Sequence, residues 1–171
     1  MTIKVKAGAM GGICSVTAVL SIVIAFGNVR TSPQGLALIG DAESCRRDPY
    51  VCPAGILSDG IGNSHRVIAG SRKTDAQIAA DWEKNILEAE RCVIRHANGN
   101  NLTQGAFDAA TSIAFNAGCP SMHNSTMFQY FRAGNMVAAC EQFPRWVYAS
   151  TKKLKGLVVR RDKERSLCLG K

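Results

Sequence analysis

The 171-residue sequence has only three histidines, and it has neither a Cys-x-x-Cys pair nor a His-Glu-x-x-His motif. Without these ligand patterns we expect no metal site and no cofactor. The sequence also has no internal repeat and no low-complexity tract. Its apolar content of 46% and charged content of 20% are near the averages of globular proteins, which excludes a disordered chain or a collagen-like repeat. The length suits one domain with an appendage.

Seven cysteines are many for a chain of this length. They are Cys14, Cys45, Cys52, Cys92, Cys119, Cys140 and Cys168. Thiols rarely accumulate in a reducing compartment without metal or catalytic use, so disulfides in an exported protein are the better interpretation. Because seven is an odd number, at least one thiol is free or changes its partner.

An uncharged stretch near the amino terminus supplies an export route. Residues 7–29 carry no charge, and a helix of that length spans about 35 Å, enough for a hydrocarbon core of about 30 Å. Small residues fill 12 of the 23 places, so the segment inserts only weakly. Three interpretations remain: a signal peptide cleaved near Ala25-Phe26-Gly27, a stable anchor, or a weak anchor that later leaves the bilayer intact. We expect an uncleaved membrane segment over residues 1–30.

Residues 31–171 are expected to form one mostly helical domain outside the cytoplasm, because the disulfides belong there. The pattern Thr74-x-x-Gln77 predicts a capping box that opens an amphipathic helix, and Asn98-Gly99 ends it. Turn signals between residues 48 and 71 predict a small hairpin-rich lobe. The other helices are predicted at 33–44, from Thr103 to about Gly118, and at 125–133, 136–143 and 155–169. The predicted fold class is therefore α+β.

The most informative segment places Glu43 at the end of a helix, beside apolar residues, with Cys52 and Ser58 following in a glycine-rich turn region. A glutamic acid in half-apolar surroundings can hold its proton near neutral pH and donate it. The alternative is an ion pair of Glu43 with Arg46 or Arg47 on a solvated helix.

The spacing Glu43-x8-Cys52-x5-Ser58, followed by Gly60-Ile-Gly62, resembles the active-site motif of the phage lysozymes, or endolysins, of glycoside hydrolase family 24. The similarity continues in collinear order over about residues 34–169. Its later parts are Phe115-Asn116-Ala-Gly118, Ser125-Thr126, Arg145-Trp146-Val147 and the run from Gly156 to Arg165.

The resemblance implies a lysozyme-like fold and hydrolysis of the β-1,4 bond between N-acetylmuramic acid and N-acetylglucosamine in peptidoglycan, for lysis of a host cell. Glu43 would be the general acid, and Cys52 and Ser58 stand where the family has an Asp and a Thr that hold the attacking water. These substitutions leave the base and the stereochemical outcome open. Asn63 stands where many relatives have His. The implied partner is peptidoglycan, and we expect a monomer that binds no nucleic acid.

The sequence also resembles signal-arrest-release (SAR) endolysins with a cysteine in the membrane segment. This resemblance implies that Cys45 is first bonded to Cys52 while Cys14 lies in the inner membrane within residues 7–29. After a holin collapses the membrane potential, without contacting the enzyme, Cys14 would bond to Cys45 and free Cys52 in the periplasm. The alternative is that Cys14 is merely a small apolar residue of a membrane helix.

The other four cysteines are expected to form two structural disulfides. We prefer the pairs Cys92–Cys119 and Cys140–Cys168, from proximity between the predicted helices and from the resemblance to relatives with cysteines at the last two places. Four cysteines allow three connectivities.

The net charge of +8 raises nucleic-acid binding as an alternative. However, Arg160, Arg161, Glu164 and Arg165 alternate in sign at helical spacing, which is typical of a solvated helix. A basic surface also suits the carboxylates of peptidoglycan.

A cysteine peptidase using Cys52 and His65 is another alternative, but no cysteine-protease signature surrounds Cys52. We interpret His96 and His123 as surface residues. Stacking on sugar is one interpretation of Trp146 and Tyr148, but we prefer packing in the core for both. For Asp48 and Asp59 we prefer roles in turns over assistance to catalysis.

Overall fold

A computed structural model describes residues 12–51 and 55–171 of the chain. Within these residues the structure has eight α-helices and two short antiparallel hairpins. The helices are α1 (Val16–Phe26), α2 (Pro33–Glu43), α3 (Asp75–His96), α4 (Gln104–Ala117), α5 (Cys119–Met122), α6 (Thr126–Arg132), α7 (Met136–Cys140) and α8 (Lys155–Cys168). The strands are β1 (Arg46–Val51) paired with β2 (Leu57–Gly60), and β3 (Tyr148–Ala149) paired with β4 (Lys152–Lys153).

The long helix α3 connects the two lobes. It begins at the predicted capping box, in which the Thr74 hydroxyl accepts from the Gln77 amide and the Gln77 side chain accepts from the Thr74 amide. It ends before Asn98, whose φ is 55°. The predicted apolar face is buried; its residues are Ile78, Trp82, Ile86, Ala89 and Val93. Its first half belongs to a core with α1 and α2, and its second half to a larger core with α4, α6 and α7.

The described part of the amino-terminal segment packs on the domain. Helix α1 has 11 residues and contacts α2 and α3, with Val19 and Val23 fully buried. The hydroxyl of Ser15 caps its start, and Gly27, with a φ of 71°, ends it. The membrane-length helix expected over residues 7–29 is not present at that length, and residues 7–11 lie outside the described residues. None of the helices in the described residues is long and apolar enough to cross a membrane.

The small lobe is the hairpin of β1 and β2, in the register Tyr50↔Ser58 and Val51↔Leu57. At the end of β2, the backbone amides and carbonyls of Asp59 and Asn63 bond to each other at 2.9 and 3.0 Å and close a turn. The prediction of a small hairpin lobe is confirmed, although residues 64–73 form turns and bends without a strand.

The remaining helices lie close to their predicted bounds. The helix expected at 136–143 ends earlier, at Cys140, and a 3₁₀ turn over Phe143–Arg145 follows. Pro144 has no amide hydrogen to continue an α-helix. The short helix α5 and the hairpin of β3 and β4 were not predicted.

Three disulfides join elements that are distant in sequence. They are Cys14–Cys45, Cys92–Cys119 and Cys140–Cys168, with sequence separations of 31, 27 and 28. The last two are the pairs that the sequence analysis preferred. In the chain-entropy model, each disulfide that closes a loop of this length stabilises the fold by about 3–4 kcal/mol.

A glycine on α2 permits the close packing of α1. A Cβ on Gly40 would lie 2.5 Å from Cγ1 of Val16 and 3.3 Å from the ring of Trp82. We therefore expect Gly40→Ala to lower the free energy of unfolding by about 1–3 kcal/mol, measured by denaturant titration. Gly156→Ala is the control, because its Cβ would meet no atom within 4 Å; we expect a change within about 0.5 kcal/mol. Equal stability of the two variants would contradict this packing of α1.

Candidate active site

Glu43 is the last residue of α2, where Ser44, with a φ of 64°, turns the chain into β1. Its side chain is 20% exposed, and its Oε1 accepts a hydrogen bond of 2.5 Å from Nη1 of Arg160. The alternative pairing of Glu43 with Arg46 or Arg47 is wrong. Arg47 pairs with Asp75, and the guanidinium of Arg46 lies over the ring of Tyr50 at 4.9 Å from its centroid.

Glu43 lies in the middle of an open groove between the lobes. A cavity of about 250 Å³ contains Glu43, Tyr50 and Ser58. On one side it shares Gly62, Ser64 and Phe115 with a cavity of about 210 Å³. On the other side it shares Glu43 and Asn116 with a cavity of about 640 Å³. A groove of three adjoining cavities can accommodate an extended chain on both sides of Glu43.

Ser58 lies on β2, is buried, and donates from its Oγ to the carbonyl of Ile56 at 3.2 Å. Because that hydrogen is used, the lone pairs of the hydroxyl are left to accept from a ligand or a water. The structure thus brings Glu43 and Ser58 to one cavity. Cys52 lies outside the described residues.

Gly62 is the glycine on which the approach of the turn to Glu43 depends. Its φ is 66°, and a Cβ there would lie 3.2 Å from Oε2 of Glu43. Any side chain at this position would strain the backbone and crowd the carboxyl group. This explains the second glycine of Gly60-Ile-Gly62 in physical terms.

Asp59 and Asn63 hold the turn from behind and do not line the groove cavities. The carboxylate of the fully buried Asp59 accepts from the side-chain amide of Asn63 at 2.7 Å and from Nζ of Lys73 at 2.8 Å. Lys73 also bonds to Asp81 at 2.6 Å. Burial opposes the charge of Lys73, but the two carboxylates outweigh it and raise the pKa of Lys73. Asp48 instead pairs with Arg72 at the surface.

The interpretation of the charged residues of α8 as a solvated face is wrong. Arg160, Arg161 and Glu164 are 6%, 1% and 0% exposed, and Arg165 pairs with Glu141 nearer the surface. The buried three face α4, whose Ser112 donates to Glu164 and whose Asn116 accepts from Arg161. Alternation of sign did not reveal this, because a buried set of ion pairs has the same spacing as a solvated one.

Four residues that line the groove were not among the predicted site residues. They are Tyr50, Phe115, Asn116 and Arg160. Phe115-Asn116 and Arg160 belong to the runs that resemble the family, so the resemblance contained the signal that composition and periodicity lacked.

The other candidates lie elsewhere or have other neighbours. His65 lines the 210 Å³ cavity. His96 and His123 form an edge-on ring pair in the helical lobe, with centroids 5.7 Å apart. Trp146 packs against the larger core as expected, whereas Tyr148 is exposed. Among the described residues no group of three or more His, Cys, Asp or Glu could hold a metal ion.

Comparison with known proteins identifies the family of the chain. The family model described as phage lysozyme matches residues 40–164. The SAR-endolysin of Escherichia phage P1 is 49% identical over 97% of this chain and 96% of its own length.

Two solved structures of the P1 phage endolysin Lyz, each 48% identical, differ in their likeness to the structure. The crystal structure of the active form has a TM-score of 0.90 and covers 94% of this chain and 96% of its own. The crystal structure of the secreted inactive form has a TM-score of 0.60 and covers 82% and 96%. The chain therefore belongs to the phage lysozyme family, among its endolysins.

Proposed function

We propose that the chain hydrolyses the β-1,4 bond between N-acetylmuramic acid and N-acetylglucosamine in peptidoglycan and so lyses the host cell of a phage. We propose that the active enzyme is a monomer. The observation that carries the proposal is the position of Glu43, half-buried at the middle of a groove that is open on both sides. A glycan strand laid in such a groove has a glycosidic bond within reach of this carboxyl group.

Glu43 acts as the general acid in this proposal. Because Arg160 donates to Oε1, that oxygen acts as an acceptor, and the proton is carried by Oε2, beside Gly62. The proton passes to the leaving glycosidic oxygen as the bond to the sugar breaks.

The attacking water is held from the other wall of the groove. Ser58 lines the same cavity as Glu43 and accepts a hydrogen bond from the water. Cys52 precedes Ser58 by six residues in the sequence, and we propose that its thiol orients or activates that water.

Replacing Glu43 with glutamine tests the general acid. The amide keeps the shape and the contact with Arg160 but has no acidic proton, so we expect kcat to fall by about 10²–10⁴-fold. The measurement is the release of reducing sugar ends from purified peptidoglycan. If the wild-type protein released amino groups instead of reducing sugar ends, it would be a peptidase, and the proposal would be contradicted.

Glu83→Gln is the matched control. Glu83 lies on α3, away from the groove cavities, and accepts from the Asn28 amide through an oxygen that glutamine retains. We expect its turnover to equal that of the wild type. Near-wild-type turnover by Glu43→Gln would refute the assignment.

We further propose that the enzyme is exported in an inactive form tethered to the inner membrane by residues 7–29, with 1–30 as the membrane segment and 31–171 as the enzyme. A holin collapses the membrane potential without touching the enzyme, and the weakly apolar segment then leaves the bilayer. The packing of Val19 and Val23 in the domain supports this order, because it supplies a destination for the released segment.

Release is coupled to disulfide exchange in the proposal. The tethered form holds a Cys45–Cys52 bond; the thiolate of Cys14 then attacks Cys45, and Cys52 departs with the electron pair and takes up a proton. One disulfide breaks and one forms, so no oxidant is needed. The Cys14–Cys45 bond supports this end state, since it is the bond that the exchange would form.

Cys14→Ser tests the exchange. The variant should be exported and released yet stay inactive, with Cys45 bonded to Cys52 in a non-reducing peptide map. The double variant Cys14→Ser/Cys45→Ser leaves Cys52 without a partner and should release reducing ends without activation. Normal lysis timing by Cys14→Ser would leave Cys14 without a regulatory role.

A further inference from the structure

The contact between Glu43 and Arg160 opposes the proposed chemistry. A guanidinium 2.5 Å from a carboxyl group favours the ionised form, whereas a general acid must hold its proton. Arg161, the next residue, adds a second positive charge from the same helix. Two positive charges therefore lie behind the carboxyl group that the proposal uses as its proton donor.

Glu164 balances these charges, one turn along α8. Its Oε1 accepts from Nε of Arg160 at 3.1 Å and from the Ser112 hydroxyl at 2.6 Å. Its Oε2 lies 2.7 Å from Nη1 of Arg161. The carboxylate therefore binds both arginines at once and is itself fully buried.

Ser112 and Asn116 on α4 complete the set. Arg160 donates from Nη2 to the Ser112 carbonyl at 3.2 Å and to its hydroxyl at 3.3 Å, and Arg161 donates to Oδ1 of Asn116 at 2.6 Å. Burial raises the pKa of Glu164 and lowers the pKa of Arg161 to about 10, and the attraction between the two charges opposes both shifts. Arg160 is thus held on one side by Glu164 and Ser112, and on the other side it meets Glu43.

We propose that Glu164 is a positioning residue for the general acid: it fixes Arg160 against Glu43 and cancels one of the two positive charges behind it. With Glu164 ionised, the three residues of α8 present a net charge of +1 to Glu43; without it they present +2. The inference rests on the proposed role of Glu43 as the proton donor.

Other groups face Glu43 from the elements around it. Asp41 on α2 and Lys163 on α8 line the cavity on one side, and Tyr50 on β1 lines the cavity on the other. From α4 the neighbouring side chain in the groove with a polar group is that of Asn116, which is uncharged. His65 lines the adjoining cavity. The variants below leave all of these unchanged.

The test measures the titration of the Glu43 carboxyl group directly, by carbon NMR of full-length protein labelled in its glutamates. The Glu43 resonance is the one that Glu43→Gln lacks. In Glu164→Gln we expect this resonance to titrate with a midpoint at a lower pH than in the wild-type protein, because one negative charge has been removed from a partly buried site. A more positive environment favours the carboxylate, so the protonated fraction and kcat at neutral pH should fall severalfold.

A charge-restoring double variant separates charge from damage to the fold. Glu164→Gln/Arg161→Gln returns the net charge beside Glu43 to +1, so the midpoint should return towards its wild-type value. The surface control is Glu141→Gln, which removes a carboxylate from Arg165 of the same helix and should leave the midpoint unchanged. A purely structural role for Glu164 would lower kcat without moving the midpoint.

Arg161→Gln serves if Glu164→Gln alone does not fold, since leaving two buried arginines with no carboxylate between them is strongly destabilising. It lowers the net charge behind Glu43 to zero, and the midpoint should move in the opposite direction, to a higher pH. Folded variants whose midpoints all equal that of the wild type would overturn the inference. A wild-type protein that releases no reducing ends would refute the proposed function instead.

Discussion

The ion pair between Glu43 and Arg160 is the constraint on which the site depends. It joins the end of α2 to α8 across 117 residues of sequence, and it places a carboxyl group at the centre of the groove. Arg160 is held in turn by Glu164 and Ser112, so the position of Glu43 depends on how α2, α4 and α8 pack together. Buried charges are tolerated only when each is paired, so these residues are needed as a set.

The amino-terminal helix has the same dependence on its partners. Gly40 lets α1 approach α2, and Val19 and Val23 fill the space against α3. Small residues, which weaken the apolarity of residues 7–29, also suit close packing between helices. The Cys14–Cys45 bond and the backbone bonds from Cys14 to Cys45 and from Arg47 to Gly12 hold the start of α1 beside β1. In the proposed mechanism, the packing that receives the segment and the bond that frees Cys52 therefore form together.

The turn of the small lobe lies close to Glu43 because Gly62 has no side chain, and within the described part of the chain no ion pair joins the two. Gly62 lets the turn lie against Glu43, and the pairing of β1 with β2 sets the position of Ser58. The Asp59–Lys73 pair holds this turn from behind, outside the groove cavities. The hairpin thus supplies Ser58 to the groove and α2 supplies Glu43. Contacts from α8, which is held in turn by α4, fix the Glu43 carboxyl group in place.

The spacing of Glu43, Cys52 and Ser58 indicated a site only through its resemblance to a family motif. Local patterns in the sequence determined the hairpin lobe and the bounds and buried face of α3. Each of these rests on hydrogen bonds or periodicity within a few residues, which a sequence displays directly. Only the tertiary structure decided that α1 packs against the domain and that Arg160, Arg161 and Glu164 are buried. A weakly apolar helix and a charged helix each suit two environments, and the choice between them depends on the surface that a distant part of the chain presents. Burial and ion pairing are set by that surface, and local spacing does not encode it.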